Sequence, residues 1–197
     1  MSFVVGLTGP TGAGKSSVTT VAEELGFKVI NCDSVARIAT QKDSEGLTAV
    51  VNAFGDTILN EDGTLNRAEL AAVAFSTEEK TELLNKTLLP HIVKLINAEL
   101  DAPLVLLDAP TLFESGADSI CNEIIAIIAD EKTRKARIME RDGIDEAAAL
   151  LRIKAGKDDN FYCERTNNII YNDCEQSVLN LKFQKLLTKL LEENASV

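Results

Sequence analysis

The residues with the most definite chemistry stand close to the N-terminus. Gly9-Pro10-Thr11-Gly12-Ala13-Gly14-Lys15-Ser16 fits G-x-x-x-x-G-K-[ST] at every defined position. Glycines at those places let backbone N–H groups turn inward and form an anion-binding nest. A helix opening at Lys15 would add unpaired donors and a partial positive charge. Lys15 can reach the β- and γ-phosphates of a nucleoside triphosphate, and the Ser16 hydroxyl can hold Mg²⁺. The expectation is a cradle for ATP built from Pro10, Thr11, Gly12, Ala13, Gly14, Lys15, Ser16 and Ser17, with Ser16 as the metal ligand.

Two carboxylates fall where such a loop could use them. Asp108 ends the apolar run "LVLLD", the place of a Walker-B-type acid near the metal. A strand-end aspartate also caps helices and turns, and residue type leaves these two readings level. Asp33 follows a second apolar run, in "VINCDSVAR". A carboxylate there could take the proton of a hydroxyl attacking the γ-phosphate. It could equally cap a helix beginning near Ser34, and capping preference alone leans that way.

Positive charge is concentrated late in the chain. Nine of the 20 Lys and Arg residues lie between Lys132 and Arg165, in a chain of net charge −11. Arg134, Arg137 and Arg141 are spaced i, i+3, i+7, so they share one helix face. Gly143 and Asp145 then break and re-cap the chain before "EAAALLRI". This predicts a helix–turn–helix lid that brings Arg141 to the phosphates of ATP, rather than a merely solvated charged face. His91 is the only histidine and follows Pro90. Its type and setting favour a partly buried structural residue, with no metal-ligand spacing around it.

These groups need a scaffold. "FVVGL" (3–7) reads as a strand, and Lys15 to Leu25 carries Val18, Val21, Ala22 and Leu25 on one helix face, with Gly26 as its stop. "FKVIN" (27–31) reads as a second strand, making a βαβ unit with a parallel sheet. "PLVLLDAP" (103–110) and "EIIAIIAD" (123–130) are apolar almost throughout, as strands covered on both faces are. "NNIIYN" (167–172) is a weaker fifth strand, and Glu175 to Leu191 a closing helix. The link over 34–102 is too long for a single crossover. Its patterns at 68–75 and 80–100 are helical, with a turn at 60–66 and Pro90 expected to kink or restart the second helix. The prediction is an α/β phosphate-loop fold: a five-stranded, mainly parallel sheet flanked by helices. Its core is 1–33 and 103–197, with a helical substrate-binding insert over about 34–102 and a lid over about 134–160.

At this point the chain resembles a known family, dephospho-CoA kinase, over nearly its whole length. "VGLTGPTGAGKSSV" looks like that family's phosphate loop, and "VINCDSVAR" like the segment bearing its general base, here Asp33. "FGDTILNEDGTLNRAEL" is similar to the stretch after the first insert helix, with Arg67 in the matching position. "LDAPTLFESG" resembles the third-strand segment, which carries Asp108. "RIMERDGIDEAA" resembles the lid, matching Arg137 and Arg141, and "IIYN" the segment whose Asn, here Asn172, lies near the adenine of ATP. The family commonly has His-Pro in the insert helix; this chain has Leu89-Pro90-His91. Gly156 stands where the family has a lid-following Gln, and Thr166-Asn167 where it has Ala-Asp before the last strand. The resemblance implies transfer of the γ-phosphate of MgATP to the ribose 3′-hydroxyl of dephospho-CoA, with Asp33, Lys15 and Arg141 catalytic. Asp33, Arg67, His91 and Asp108 would meet the acceptor, and Arg137 and Asn172 the nucleotide. The insert would supply the wide surface that such an acceptor needs.

Bulk properties bound the alternatives. A net charge of −11 is a poor match for nucleic acid, which basic surfaces bind, while a small anion needs only a local positive site. No apolar run approaches the roughly 18 residues of a spanning helix, so no membrane is expected. "MSFVVGLTG" lacks a basic n-region, so a cytoplasmic protein is expected. Cys32, Cys121, Cys163 and Cys174 show no C-x-x-C spacing and are expected as unpaired thiols. A monomer or weak oligomer is expected. The rival readings are a phosphate-loop kinase for another small molecule, and an ATP-dependent regulatory switch. A GTP switch is disfavoured, because no Asn-Lys-x-Asp follows the fourth strand.

Overall fold

The computed structural model describes residues 2–195. Five strands form one sheet: β1 (Phe3–Thr8), β2 (Lys28–Asn31), β3 (Leu104–Asp108), β4 (Glu123–Ile128) and β5 (Asn168–Tyr171). Their order across the sheet is β2-β3-β1-β4-β5. β1 runs parallel to both β3 and β4, and β4 parallel to β5. The apolar runs at 3–7, 103–110 and 123–130 therefore hold strands, two of them shorter than expected: Pro103 and Ala109-Pro110 lie outside β3, and Ala129-Asp130 outside β4.

Among the described residues ten α-helices connect and cover them. α1 is Thr19–Glu24, α2 Cys32–Ala39, α3 Glu45–Phe54, α4 Arg67–Ala74 and α5 Glu78–Ala98. α6 is Leu112–Ser115, α7 Glu131–Asp142, α8 Glu146–Lys154, α9 Asp159–Cys163 and α10 Gln176–Ala195. Among the described residues no helix is long and apolar enough to cross a membrane.

The chain divides into two compact units. The sheet unit takes the residues up to Val29, Ala102–Pro110 and everything from Cys121 on. β1 is its spine: all six residues are buried, as a central parallel strand requires. Val5, Leu7, Ile125 and Ile127 meet Val18, just before α1, Ala22 of α1, and Leu179, Phe183 and Leu187 of α10, in one core. Phe183 is fully buried there.

The helical unit takes Ile30–Asp101 together with Thr111–Ile120. The second segment, which holds α6, falls within the 103–197 stretch expected of the core; in space it groups with the insert. Val50, Ile58, Leu70, Ala74 and Leu84 form this unit's own core. Its helices start at side-chain caps that the sequence carries: Ser44 accepts from the Leu47 N–H, Asn66 from Glu69 and Thr77 from Lys80. Residues 60–66 make the expected turn, in which Asp62 accepts from both the N–H and the hydroxyl of Thr64.

Pro90 does not restart a helix, one of the two outcomes expected of it. α5 is a single helix through it. The proline removes one N–H and so one bond to the carbonyl of Lys86. Leu84 on one side and Ile92 and Ile96 on the other are buried, and packing holds the two halves as one element.

Candidate active site

The phosphate loop joins β1 to α1 inside the sheet unit, and its neighbours rather than its own side chains shape it. Gly9 has φ +135°, and a Cβ there would stand 2.1 Å from the carbonyl oxygen of Ile127 in β4. Only glycine fits so close to a strand. Ala13 is fully buried. The Lys15 ammonium donates to the carbonyls of Gly9 at 2.5 Å and Pro10 at 3.3 Å, which folds the side chain over the loop.

The segment after the loop departs from expectation. Lys15–Ser17 is a 3₁₀ turn, and α1 begins only at Thr19. The cause is local: the Ser17 hydroxyl donates to the Gly14 carbonyl at 2.5 Å and Thr19 to Ser16 at 3.2 Å. Such short side-chain bonds compete with the α-helical ladder. The donors on offer to an anion here are therefore the loop's own N–H groups more than a long helix end. Ser16 is exposed in this turn. Gly26, at φ +86°, does end the helix as predicted.

Three side chains distant in sequence hold the loop from outside. Asn172, 2% exposed at the end of β5, donates from Nδ2 to the Ala13 carbonyl at 2.7 Å. Arg137 donates to Ala13 at 3.4 Å and to the Asn172 carbonyl at 3.2 Å. Arg134 donates from Nε to the Thr11 carbonyl at 2.9 Å. The sequence placed Arg134 on the same helix face as Arg137 and Arg141 but gave it no role at the site. Its spacing was the available signal; which turn of that face would be buried was not.

Asp108 is the last residue of β3 and pairs in register with Leu7, the penultimate residue of β1. Its Oδ1 is buried. The residue at the N-terminus of α6 is Thr111, so Asp108 does not cap that helix. Of the readings of Asp108, this removes the cap of that helix and leaves the turn cap and the metal-side acid.

The span expected of the lid is a helix pair, α7 and α8. Asp130 caps α7 by accepting from Thr133 at 2.7 Å, and that N–H, with the Thr133 hydroxyl, holds the Asp130 carboxyl below its ordinary range. Gly143 ends α7 at φ +63°, and Asp145 caps α8 through the Ala148 N–H, as the sequence predicted. Ile138, Ala149 and Ile153 form the seam between the two helices. Arg141 lies one turn beyond the bracing arginines and is 60% exposed. It donates twice to the Asp142 carboxylate, at 2.7 and 3.0 Å, and Arg152 of α8 reaches the same carboxylate. The Arg141 hydrogen bond, and then the two positive charges, keep the Asp142 carboxyl below its ordinary value.

In the helical unit, α2 is capped by Asn31, whose side chain accepts from the Ser34 N–H at 2.9 Å. The cap assigned by preference to Asp33 thus belongs to the residue two places earlier, and the helix starts correspondingly sooner. Asp33 stands exposed in the first turn. Arg67 opens α4 and donates to the Thr40 hydroxyl at 3.2 Å, and Thr40, 4% exposed, donates in turn to the Ala36 carbonyl at 2.9 Å. α2 therefore steadies the Arg67 side chain. His91 is half-buried against α3, where a Cβ on Gly46 would lie 3.4 Å from its own Cβ. Lys94 pairs with Glu45 at 2.7 Å and, ahead of a smaller pull from His91, lowers the Glu45 carboxyl.

Comparison with known proteins bears on the site as a whole. The family model for dephospho-CoA kinase matches residues 3–177. A dephospho-CoA kinase of Oryza sativa is 34% identical over 195 residues, covering 96% of this chain and 85% of the relative. One of Listeria monocytogenes is 34% identical over 199 residues, covering 91% of this chain and all of the relative. Among solved structures, TT1252 from Thermus thermophilus superposes with a TM-score of 0.77 at 27% identity, covering 96% of this chain and 98% of that one. A shikimate kinase from Acinetobacter baumannii, at TM-score 0.55 and 16% identity over 98% of this chain and 95% of its own, shares the fold.

Proposed function

Because the chain belongs to the dephospho-CoA kinase family, we propose that it transfers the γ-phosphoryl group of ATP to the ribose 3′-hydroxyl of dephospho-CoA, releasing ADP and coenzyme A. The observation that carries this reading is the braced phosphate loop, with Lys15 laid over it, in a chain whose family match spans residues 3–177.

Phosphoryl transfer asks a protein mainly for position and for positive charge where negative charge builds up. The loop from Pro10 to Ser17 wraps the phosphates with N–H groups. Lys15 exchanges the Gly9 and Pro10 carbonyls for phosphate oxygens, a stronger partner for an ammonium. Arg137 and Asn172 bound the nucleotide side of the loop. Arg141 swings from Asp142 to the transferred group as the lid closes, and closure keeps water from taking the phosphoryl group. Asp33 accepts the proton of the attacking hydroxyl. Arg67, His91 and Asp108 complete the acceptor's surroundings.

Mg²⁺ fits the residues present. The Ser16 hydroxyl and the Asp108 carboxylate are hard oxygen donors, and Mg²⁺ commonly takes one or two protein ligands beside waters and phosphate oxygens. Among the described residues no cluster of three or more His, Cys, Asp or Glu makes an all-protein cage, in keeping with that sparse mode. When bound, the ion neutralises charge on the β- and γ-phosphates. A monomer acting in the cytoplasm completes the reading.

The test is an acceptor panel. Purified protein with MgATP should phosphorylate dephospho-CoA far faster than AMP, adenosine or shikimate in a coupled ADP assay. No product above blank with dephospho-CoA would sink the proposal, and a preference for another acceptor would redirect it to a different small-molecule kinase.

A further inference from the structure

Among the described residues, Arg134 is the only charged side chain that is buried, at 4% exposure. Burying a guanidinium is costly unless it is paired and fully hydrogen-bonded. Here the pairing is incomplete. Nε donates to the Thr11 carbonyl at 2.9 Å, and Nη1 lies 3.5 Å from Oδ1 of Asp159, the first residue of α9. Nη2 is buried with no hydrogen-bond partner among the described residues. Asp159 is half-exposed, and burial raises its carboxyl above the ordinary range against the pull of Arg134. For stability alone, an apolar residue of similar volume would serve at least as well.

What the arginine does gain is control of one peptide group. A trans peptide is planar, with its C=O and N–H pointing in opposite directions. Fixing the Thr11 carbonyl against α7 therefore fixes the Gly12 N–H away from α7. The same stretch of α7 also presses on Gly12 itself: a Cβ there would lie 2.8 Å from the Arg134 carbonyl oxygen and 3.1 Å from Cδ1 of Ile138. Two residues on, Arg137 and Asn172 grip the Ala13 carbonyl in the same manner.

We propose that Arg134, anchored by Asp159, is a positioning residue of the nucleotide site: it holds the Thr11–Gly12 peptide so that its N–H faces the phosphates. The proposal rests on the reading of the loop as an ATP site. It makes α7 both the base of the lid and a wall of the phosphate cradle.

The test measures MgADP affinity by calorimetry on the full chain, with kcat and both KM values alongside. Arg134→Met keeps bulk and removes the donor; it should raise the MgADP Kd and the KM for ATP by about tenfold, the scale of one charge-assisted hydrogen bond. The KM for dephospho-CoA should stay within about twofold, a split that general loosening would not produce. Arg134→Gln restores one N–H for Thr11 and should bring the Kd back to within about threefold of the parent. Parent-like affinity in Arg134→Met, or equal weakening in Arg134→Met and Arg134→Gln, would overturn the proposal. If Arg134→Met does not fold, Arg134→Lys decides: it keeps the charge but puts a methylene where Nε donates to Thr11, so weakened MgADP binding supports the role and parent affinity overturns it. Binding is read without acceptor. A parent protein that binds MgADP yet ignores dephospho-CoA would defeat the acceptor assignment and leave the Arg134 result standing.

Discussion

Asn31 closes the N-terminus of α2, so Asp33, two residues on, is not consumed by the helix end. Its charge in the first turn adds only about 0.3–1 kcal/mol to the helix. A general base contributes far more to the reaction. Asp33→Asn should therefore cut kcat by about 10²-fold or more while nucleotide affinity and Tm barely move. Near-normal turnover would return Asp33 to a minor helix-end role. Lys15 and Ser16 were singled out because a phosphate nest demands glycine, lysine and a hydroxyl at fixed spacing. Asp33 was ambiguous because capping and catalysis use the same residue type. Only the position of the real cap separates them.

At the scale of elements, the helix pair α7–α8 shows how one carboxylate serves two helices. Asp142 takes Arg141 from its own helix and Arg152 from the next. Its carboxyl is held below the ordinary aspartate value of 3.8, chiefly by the Arg141 hydrogen bond. The sign follows from linkage: a depressed carboxylate contributes stability above its unfolded value and loses it as pH falls through the lower folded value. Asp142→Asn should thus lower Tm slightly at pH 7, by about 2 °C on a chain of this size. That gap should close below pH 3.8. A gap of constant size across pH 3–7 would mean that the charge pairing is not its cause. The helix pair was legible at this scale because Gly143 and Asp145 are strong stop and start signals. The short α1 was not, since the pattern of Val18, Val21, Ala22 and Leu25 is the same whether Ser17 and Thr19 bond the backbone or leave it to the helix. Pro90 misled for a related reason: one missing hydrogen bond is small beside the packing of Leu84, Ile92 and Ile96.

On the scale of the molecule, the bracing of the phosphate loop lies within the sheet unit, while Asp33, Arg67 and His91 belong to a helical unit with its own core. MgADP alone should therefore slow amide exchange from Gly9 to Val18 and around Asn172, and leave the Val50–Leu70–Leu84 core unchanged. Uniform slowing throughout the chain would contradict this division of labour. The net charge of −11 does not oppose nucleotide binding, because the loop and its arginines supply a local positive field. By itself, the sequence determined the glycine-rich loop, the parallel strands, the helical insert and the turn between α7 and α8. Each of these is written in neighbouring residues, as periodicity, glycine placement or caps. Only the tertiary structure decided that α6 groups with the insert, that Arg134 is buried and that Asn172 grips Ala13. Those outcomes join residues 123 and 159 positions apart, and the choice of which polar group is sealed from water is made when the elements pack.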